Sequence, residues 1–298
     1  MASIMAEAKA GPRPPRGNPP ASAAEQIIDL TSDLSFGARN RLAWRDVGDA
    51  FGLLRLAAIL GWLDIRLRYR GSLLGPLWLT LSTAVMVGAL GFLYSTLFQM
   101  DVSDYLPFLA LSLVLWNFLG TLVSDACICF TAAEGIVRSV RLPFTLHAIR
   151  CVIRNVLVLA HNVVVIVVVD VVFCLWPGAD GLVAVPGVVL WLVDGMAVCL
   201  LLGAICARFR DVPPIIGSVM QIAFFISAIM WKPAQIGGEK LWLQLNPFYA
   251  LIEIVRAPLL GELPSAMTYA SAIGWSVLLC AGAWMLFMRT RGRIAFWV

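Results

Sequence analysis

The sequence predicts an all-α polytopic membrane protein with six transmembrane helices. Three observations predict it: six long apolar runs, a composition too poor in polar residues for a soluble globule, and positive charges gathered on one side of the runs. Residues 71–98, 105–124, 155–176, 181–207, 212–231 and 263–288 each reach the roughly 20 residues that cross about 30 Å of hydrocarbon. Hydrophobic residues make up 60% of the chain and charged ones 13%, so the bilayer is its solvent. Of 22 Lys and Arg, 19 lie in 1–70, 125–154, 208–210 and 289–293, which share one side when both termini are cytoplasmic. Only Lys232, Lys240 and Arg256 fall opposite. The loops at 99–104 and 177–180 carry Asp101, Asp104 and Asp180 without Lys or Arg, the pattern of outer loops. A bacterial inner membrane with both termini inside is the expected location.

Residues 1–24 are rich in Ala, Pro and Gly, with Lys9, Arg13 and Arg16 but no apolar run behind them. Residues 1–40 are therefore expected to be a disordered cytoplasmic tail, and 41–298 the transmembrane domain. From Trp44 to Tyr69 an N-terminal amphipathic interfacial helix is expected. Phe51, Leu54, Ala58 and Trp62 recur at helical spacing, while Arg55, Asp64, Arg66, Arg68 and Arg70 interrupt the apolar surface. Two readings of Arg66, Arg68 and Arg70 stay open. One is topology plus attraction to anionic lipid, worth about 1 kcal/mol per charge. The other is a bidentate grip on the phosphate of an amphiphilic substrate.

Ionisable residues inside apolar runs need a partner, a proton or water. His161 and Asp194 fall near the midplane of their spans, which predicts an interhelical hydrogen bond between them, with or without Asn162. The rival is a proton relay that adds Asp170. Asp125 lies at the depth of Arg150 and Arg154, predicting an interfacial ion pair. The seven cysteines sit in or beside spans and read as small apolar packing residues. Cys127 and Cys129 are not a CxxC pair, so no metal or redox role is assigned.

Between the second and third spans, Glu134, Arg138 and Arg141 stand at helical spacing before Pro143, predicting a short cytoplasmic helix. Residues 232–262 are too few for two crossings, which need about 40, yet too apolar for a solvated loop. An outer re-entrant helical hairpin between spans five and six fits. Asn246-Pro247 is a cap and first-turn signal, and Glu253 and Arg256 stand three apart on one face. Trp231, Trp242, Tyr249 and Tyr269 are expected to form an aromatic rim on the outside.

Four stretches, in order and in matching places, resemble one family. Arg68-Tyr-Arg-Gly-Ser-Leu-Leu-Gly-Pro-Leu-Trp78 is similar to the entry to the first span of type-2 ABC exporter permeases for polysaccharides. Arg141-Leu-Pro-Phe-Thr-Leu-His147 with His161-Asn162, then Arg208-Phe-Arg-Asp-Val-Pro-Pro214, then Asn246-Pro-Phe-Tyr-Ala-Leu-Ile-Glu-Ile-Val-Arg-Ala-Pro-Leu-Leu-Gly261 resemble its O-antigen and capsular polysaccharide branch. One departure is Ser227-Ala228 ahead of Ile229-Met-Trp231, where relatives carry proline.

The resemblance implies a homodimer of six-span subunits served by two copies of a separate ATP-binding cassette subunit, which holds ATP and Mg. It implies a gate helix over 49–69, a cytoplasmic coupling helix over 131–141 and an outer gate over 239–260. Arg66, Arg68 and Arg70 would meet a lipid-linked pyrophosphate, and Glu134, Arg138 and Arg141 the ATPase. Trp242, Tyr249, Glu253 and Arg256 would belong to the outer gate, and spans one and five would line the channel. The chain has no GxxxxGK[ST] phosphate loop, so it is expected to bind no cofactor and to be no enzyme. Its expected partners are a second copy, the ATPase, a lipid-linked glycan and membrane lipid, with no nucleic acid. Two other classes are weighed against this reading: an ion-coupled secondary transporter using His161, Asp170 and Asp194, and a membrane-bound transferase.

Overall fold

The structure is a computed structural model that describes Ser35–Val298 apart from Leu73, Leu74 and Pro76. Most of the expected N-terminal tail lies outside the described residues. Its last part differs from expectation, because helix α1 (Phe36–Gly52) already starts at Phe36, where the Ser35 hydroxyl accepts a hydrogen bond from the Ala38 amide. What holds this helix is packing, with the Trp44 ring tilted against Trp284 at 4.8 Å and the Trp284 indole donating to Asn40. Leu53 breaks it, and α2 (Leu54–Arg68) follows. Ala57, Gly61 and Ile65 recur every fourth residue on the buried face of α2. Phe51, Leu54 and Trp62, the apolar stripe visible in the sequence, are exposed on the other side. Helix α2 and the turn before it therefore have a small-residue face toward protein and a large-residue face left exposed.

Five helices are long and apolar enough to cross a membrane: α3 (Leu77–Phe98), α4 (Val102–Cys127), α6 (Phe144–Phe173), α7 (Ala184–Arg208, with a 3-10 turn ahead of it) and α11 (Ala266–Trp297). Between α4 and α6 lies the short α5 (Glu134–Ser139). Helix α4 is central, packing on α3, α6 and α7, and α7 packs in turn on α11. The described residues contain no strand.

Small residues let α7 approach its neighbours. Gly187, Gly195 and Gly203 recur every eighth residue, and a Cβ on each would lie 2.9 Å from Val255, Leu122 and Phe130 respectively. Gly195→Val is expected to overpack this seam at a cost of about 1–3 kcal/mol, read as a lower unfolding midpoint in detergent. The same change at Gly217, where a Cβ meets nothing within 4 Å, is expected to leave the midpoint near that of the unmodified protein.

The fifth expected span is shorter than its apolar run. Helix α8 (Val212–Ile226) has 15 residues, and at 1.5 Å per residue it covers about 22 Å of the roughly 30 Å of hydrocarbon. Ser227 and Ala228 do not continue it, and Ala228 has a positive φ of 51°. Distant side chains take its end. Asn246 Nδ2 donates to the Ile226 carbonyl, Trp231 Nε1 to the Phe225 carbonyl and Arg256 Nη1 to the Ala228 carbonyl. Carbonyls that lack an intrahelical partner at a helix end are satisfied here by groups from elsewhere in the chain. The following apolar segment forms α9 (Leu241–Gln244) and α10 (Pro247–Leu259). Asn246 caps α10, its Oδ1 accepting from the amides of Phe248 at 3.0 Å and Tyr249 at 3.3 Å.

Candidate functional site

At the end of the molecule that holds α5, the three helices α2, α4 and α6 are tied by charge. Helix α2 lies along α6, and Gly61 sits where a Cβ would be 3.2 Å from the Arg150 carbonyl. That approach sets Asp64 beside Arg150, which donates from Nε at 2.8 Å and Nη2 at 2.5 Å, with Arg154 Nη1 at 3.4 Å. Asp125 at the end of α4 accepts from Arg154 at 2.8 Å and from Asn155 at 3.0 Å, with Arg68 at 3.8 Å. The Asp125–Arg154 pair is formed, whereas Arg150 turns to Asp64 because α2 brings a nearer carboxylate. Arg66, Arg68 and Arg70 are all exposed at the end of α2. Burial pushes the Tyr69 hydroxyl pKa up, and the Arg68 charge opposes the shift.

Asp46 of α1, 1% exposed, is a second tie at this end. Its carboxylate accepts from the amides of Phe144 at 3.2 Å and Thr145 at 2.9 Å, from the Thr145 hydroxyl at 2.7 Å and from Arg291 Nε at 2.8 Å. A carboxylate at a helix N-terminus satisfies free amides and complements the helix dipole. This cap lets α6 begin at Phe144, well before the apolar run at 155. In α5, Glu134 and Arg138 pair at 2.9 Å, and Arg138 also donates to the backbone oxygen of Val298 at 3.0 Å. Glu134, Arg138 and Arg141 present an exposed charged surface.

At the opposite end α10 is buried rather than peripheral. Arg256, 1% exposed, pairs with Glu253 through two donors, gives Nη1 to the Ser112 hydroxyl of α4 and to the Ala228 carbonyl, each at 2.8 Å, and lies 4.4 Å from the centre of the Phe108 ring. Tyr249, expected on the aromatic rim, is instead fully buried and donates to Glu239 at 2.7 Å. Its pKa is raised by burial first and by the nearby Glu253 charge next. Trp242 is exposed, 6.4 Å from Trp231.

The expected His161–Asp194 bond is not made. Asp194 of α7 faces α11 and accepts from the Ser276 hydroxyl at 2.7 Å, while His161 Nδ1 bonds the Leu157 carbonyl of its own helix at 2.7 Å. The two residues lie at similar depth on faces that look toward different neighbours. Asp170 joins neither, and no hydrogen bond links any two of the three among the described residues.

An open groove of about 420 Å³ runs between α4 and α8. Asn117, Thr121, Ser124 and Gln221 line it together with Trp116, Phe224 and Phe225, and Gly120 and Gly217 widen it. The Thr121 and Ser124 hydroxyls turn back to the Asn117 and Gly120 carbonyls of their own helix, which leaves the Asn117 and Gln221 amides as the groups costly to face with lipid. Aromatic faces beside amide groups suit the apolar faces and hydroxyls of sugar rings.

Sequence reasoning missed Asp46, Asp64 and Ser276, whose partners lie tens to hundreds of residues away. It also missed the groove, although Asn117, Thr121 and Ser124 stand at helical spacing on α4 as a visible signal. The model of the ABC-2 type transporter family matches residues 55–260. The O-antigen export system permease protein RfbA of Myxococcus xanthus is 23% identical over 236 residues, covering 78% of this chain and 91% of that protein. The protein of the same name from Klebsiella pneumoniae is 20% identical over 191 residues, covering 63% and 74% respectively. The family match takes in α2 to α10 and most of the chain's length, and the chain belongs to the ABC-2 type transporter family.

Proposed function

We propose that this chain is the transmembrane subunit of an ATP-driven exporter that moves a polyprenyl-linked polysaccharide, of the O-antigen or capsule kind, across a bacterial inner membrane. Two copies form the passage at their contact, and a separate pair of ATP-binding cassette subunits supplies the force. In this reading α3, α4, α6, α7, α8 and α11 are the six crossings, with 227–231 completing the fifth. Helices α9 and α10 are the outer re-entrant gate, α5 is the coupling helix against the ATPase, and both termini are cytoplasmic. Arg66, Arg68 and Arg70 hold the pyrophosphate of the lipid carrier at the entrance.

The groove between α4 and α8 carries the proposal. It sets amides, hydroxyls and aromatic rings along one open face of an otherwise apolar bundle. A second copy facing it would enclose a passage whose walls exchange weak hydrogen bonds and ring contacts with a moving polymer. Family membership and the two RfbA relatives, which are named as O-antigen export permeases, support the same reading.

The test is complementation of a strain lacking the gene, with surface and cytoplasmic polymer both measured. The unmodified gene is expected to restore surface polymer, and Asn117→Leu with Gln221→Leu together to reduce it at least tenfold while the protein stays folded in the membrane. Unchanged export in that variant would remove the groove from the path. ATP hydrolysis by the purified chain without any partner would overturn the division of labour.

A further inference from the structure

We infer that Cys129, Cys151 and Cys199 form a binding site for one thiophilic divalent metal ion of the zinc class. They come from three elements: the turn after α4, the second turn of α6 and the middle of α7. All three are buried, and their Sγ atoms lie within 4.8 Å of one another. Thiolates sharing a tetrahedral ion at about 2.3 Å stand about 3.8 Å apart, so a small contraction closes the site.

The surroundings supply what such an ion needs. A cavity of about 20 Å³, room for a single water, touches Cys129 and Cys151 and is lined by His147, Arg150 and Arg154. His147 is 2% exposed and its Nδ1 has no hydrogen-bond partner. It stands one turn before Cys151 on α6, and the adjoining cavity leaves the fourth coordination position open to a water. Charge also balances. Three thiolates around a divalent ion carry one net negative charge, and the adjoining network of Arg68, Arg150 and Arg154 against Asp64 and Asp125 carries one net positive charge. Arg154 Nη2 reaches Cys151 Sγ at 3.8 Å, and Arg150 Nη1 and Arg154 Nε have no other partner. Binding releases the three thiol protons to solvent with no change of oxidation state. The ion ties the end of α4 to α6 and α7 immediately ahead of α5, at the base of the segment that Glu134 and Arg138 occupy.

The experiment titrates the purified full-length chain, reduced and in detergent, with Cd²⁺, following the ultraviolet charge-transfer band of cadmium thiolate. The band is expected to grow to one equivalent per chain and stop. Cys151→Ser and Cys199→Ser are each expected to lose it, while Cys174→Ser and Cys280→Ser keep it. Cd²⁺ is expected to raise the unfolding midpoint of the unmodified chain and leave that of Cys151→Ser unmoved. Absence of the band at one equivalent in the unmodified chain overturns the inference, whatever the variants do. So does a band that survives Cys199→Ser.

Discussion

Arg256→Ala is expected to be the most damaging single change in the chain, costing about 3–5 kcal/mol. The guanidinium is buried among Glu253, Ser112, the Ala228 carbonyl and the Phe108 ring, so its loss strands a carboxylate and a helix-end carbonyl together, while the Ser112 hydroxyl keeps its bond to the Phe108 carbonyl. None of these groups reaches water without opening the contact between α10 and α4. Denaturant titration in detergent, or the yield of monodisperse protein, reads the effect. Arg256→Met with Glu253→Leu removes both charges while keeping volume, and is expected to recover more than half of the loss, because a buried pair is worth less than the penalty of breaking it. A double variant as unstable as the single one would show that the bonds to Ser112 and Ala228, and not the ion pair, hold the outer end together.

Asp46→Ala is the second largest, at about 2–4 kcal/mol, because one carboxylate caps α6 and pairs with Arg291 of α11. Asp46→Asn keeps one acceptor oxygen for the Thr145 amide but loses the charge and the acceptor for Phe144 and Arg291, and is expected to cost about 1–2 kcal/mol. Hydrogen exchange localises the difference. In the alanine variant the first turn of α6 is expected to exchange faster while the middle of α6 stays protected. Uniform exchange along α6 in both variants would contradict a capping role.

Five of the six expected spans coincide with helices long and apolar enough to cross a membrane, and they were legible because length and apolarity are local properties. A run of 20 apolar residues declares itself whatever lies elsewhere in the chain. The Asn246-Pro247 cap and the Glu253–Arg256 pair were legible for the same reason, being built within one helical turn. The ends of α6 and α8 were not. Pro143 stands directly ahead of Phe144 but reads in the sequence only as the stop of the preceding cytoplasmic helix, and no glycine or proline marks Ile226 at the end of α8. One is set by Asp46, about a hundred residues upstream, and the other by Asn246 and Arg256 downstream. The His161–Asp194 bond failed because counting along two helices gives depth but not azimuth, and Asp194 points at Ser276. The three cysteines gave no signal because their spacing follows the fold and not any ligand motif.

The abrupt end of α8 makes the helices uneven in height. Helices α6 and α11, with 30 and 32 residues, rise about 45 and 48 Å, while α8 stops after about 22 Å. The height missing beyond Ile226 is made up by 227–231 and by α9 and α10, where Ala228, Leu243, Tyr249 and Trp231 pack together, so protein and not thinned lipid fills that flank. The groove with Asn117 and Gln221 runs along α8 up to Phe225, and there Trp116 meets the Phe248 ring of α10 at 5.7 Å, so one end of the groove abuts the segment that plugs the gap.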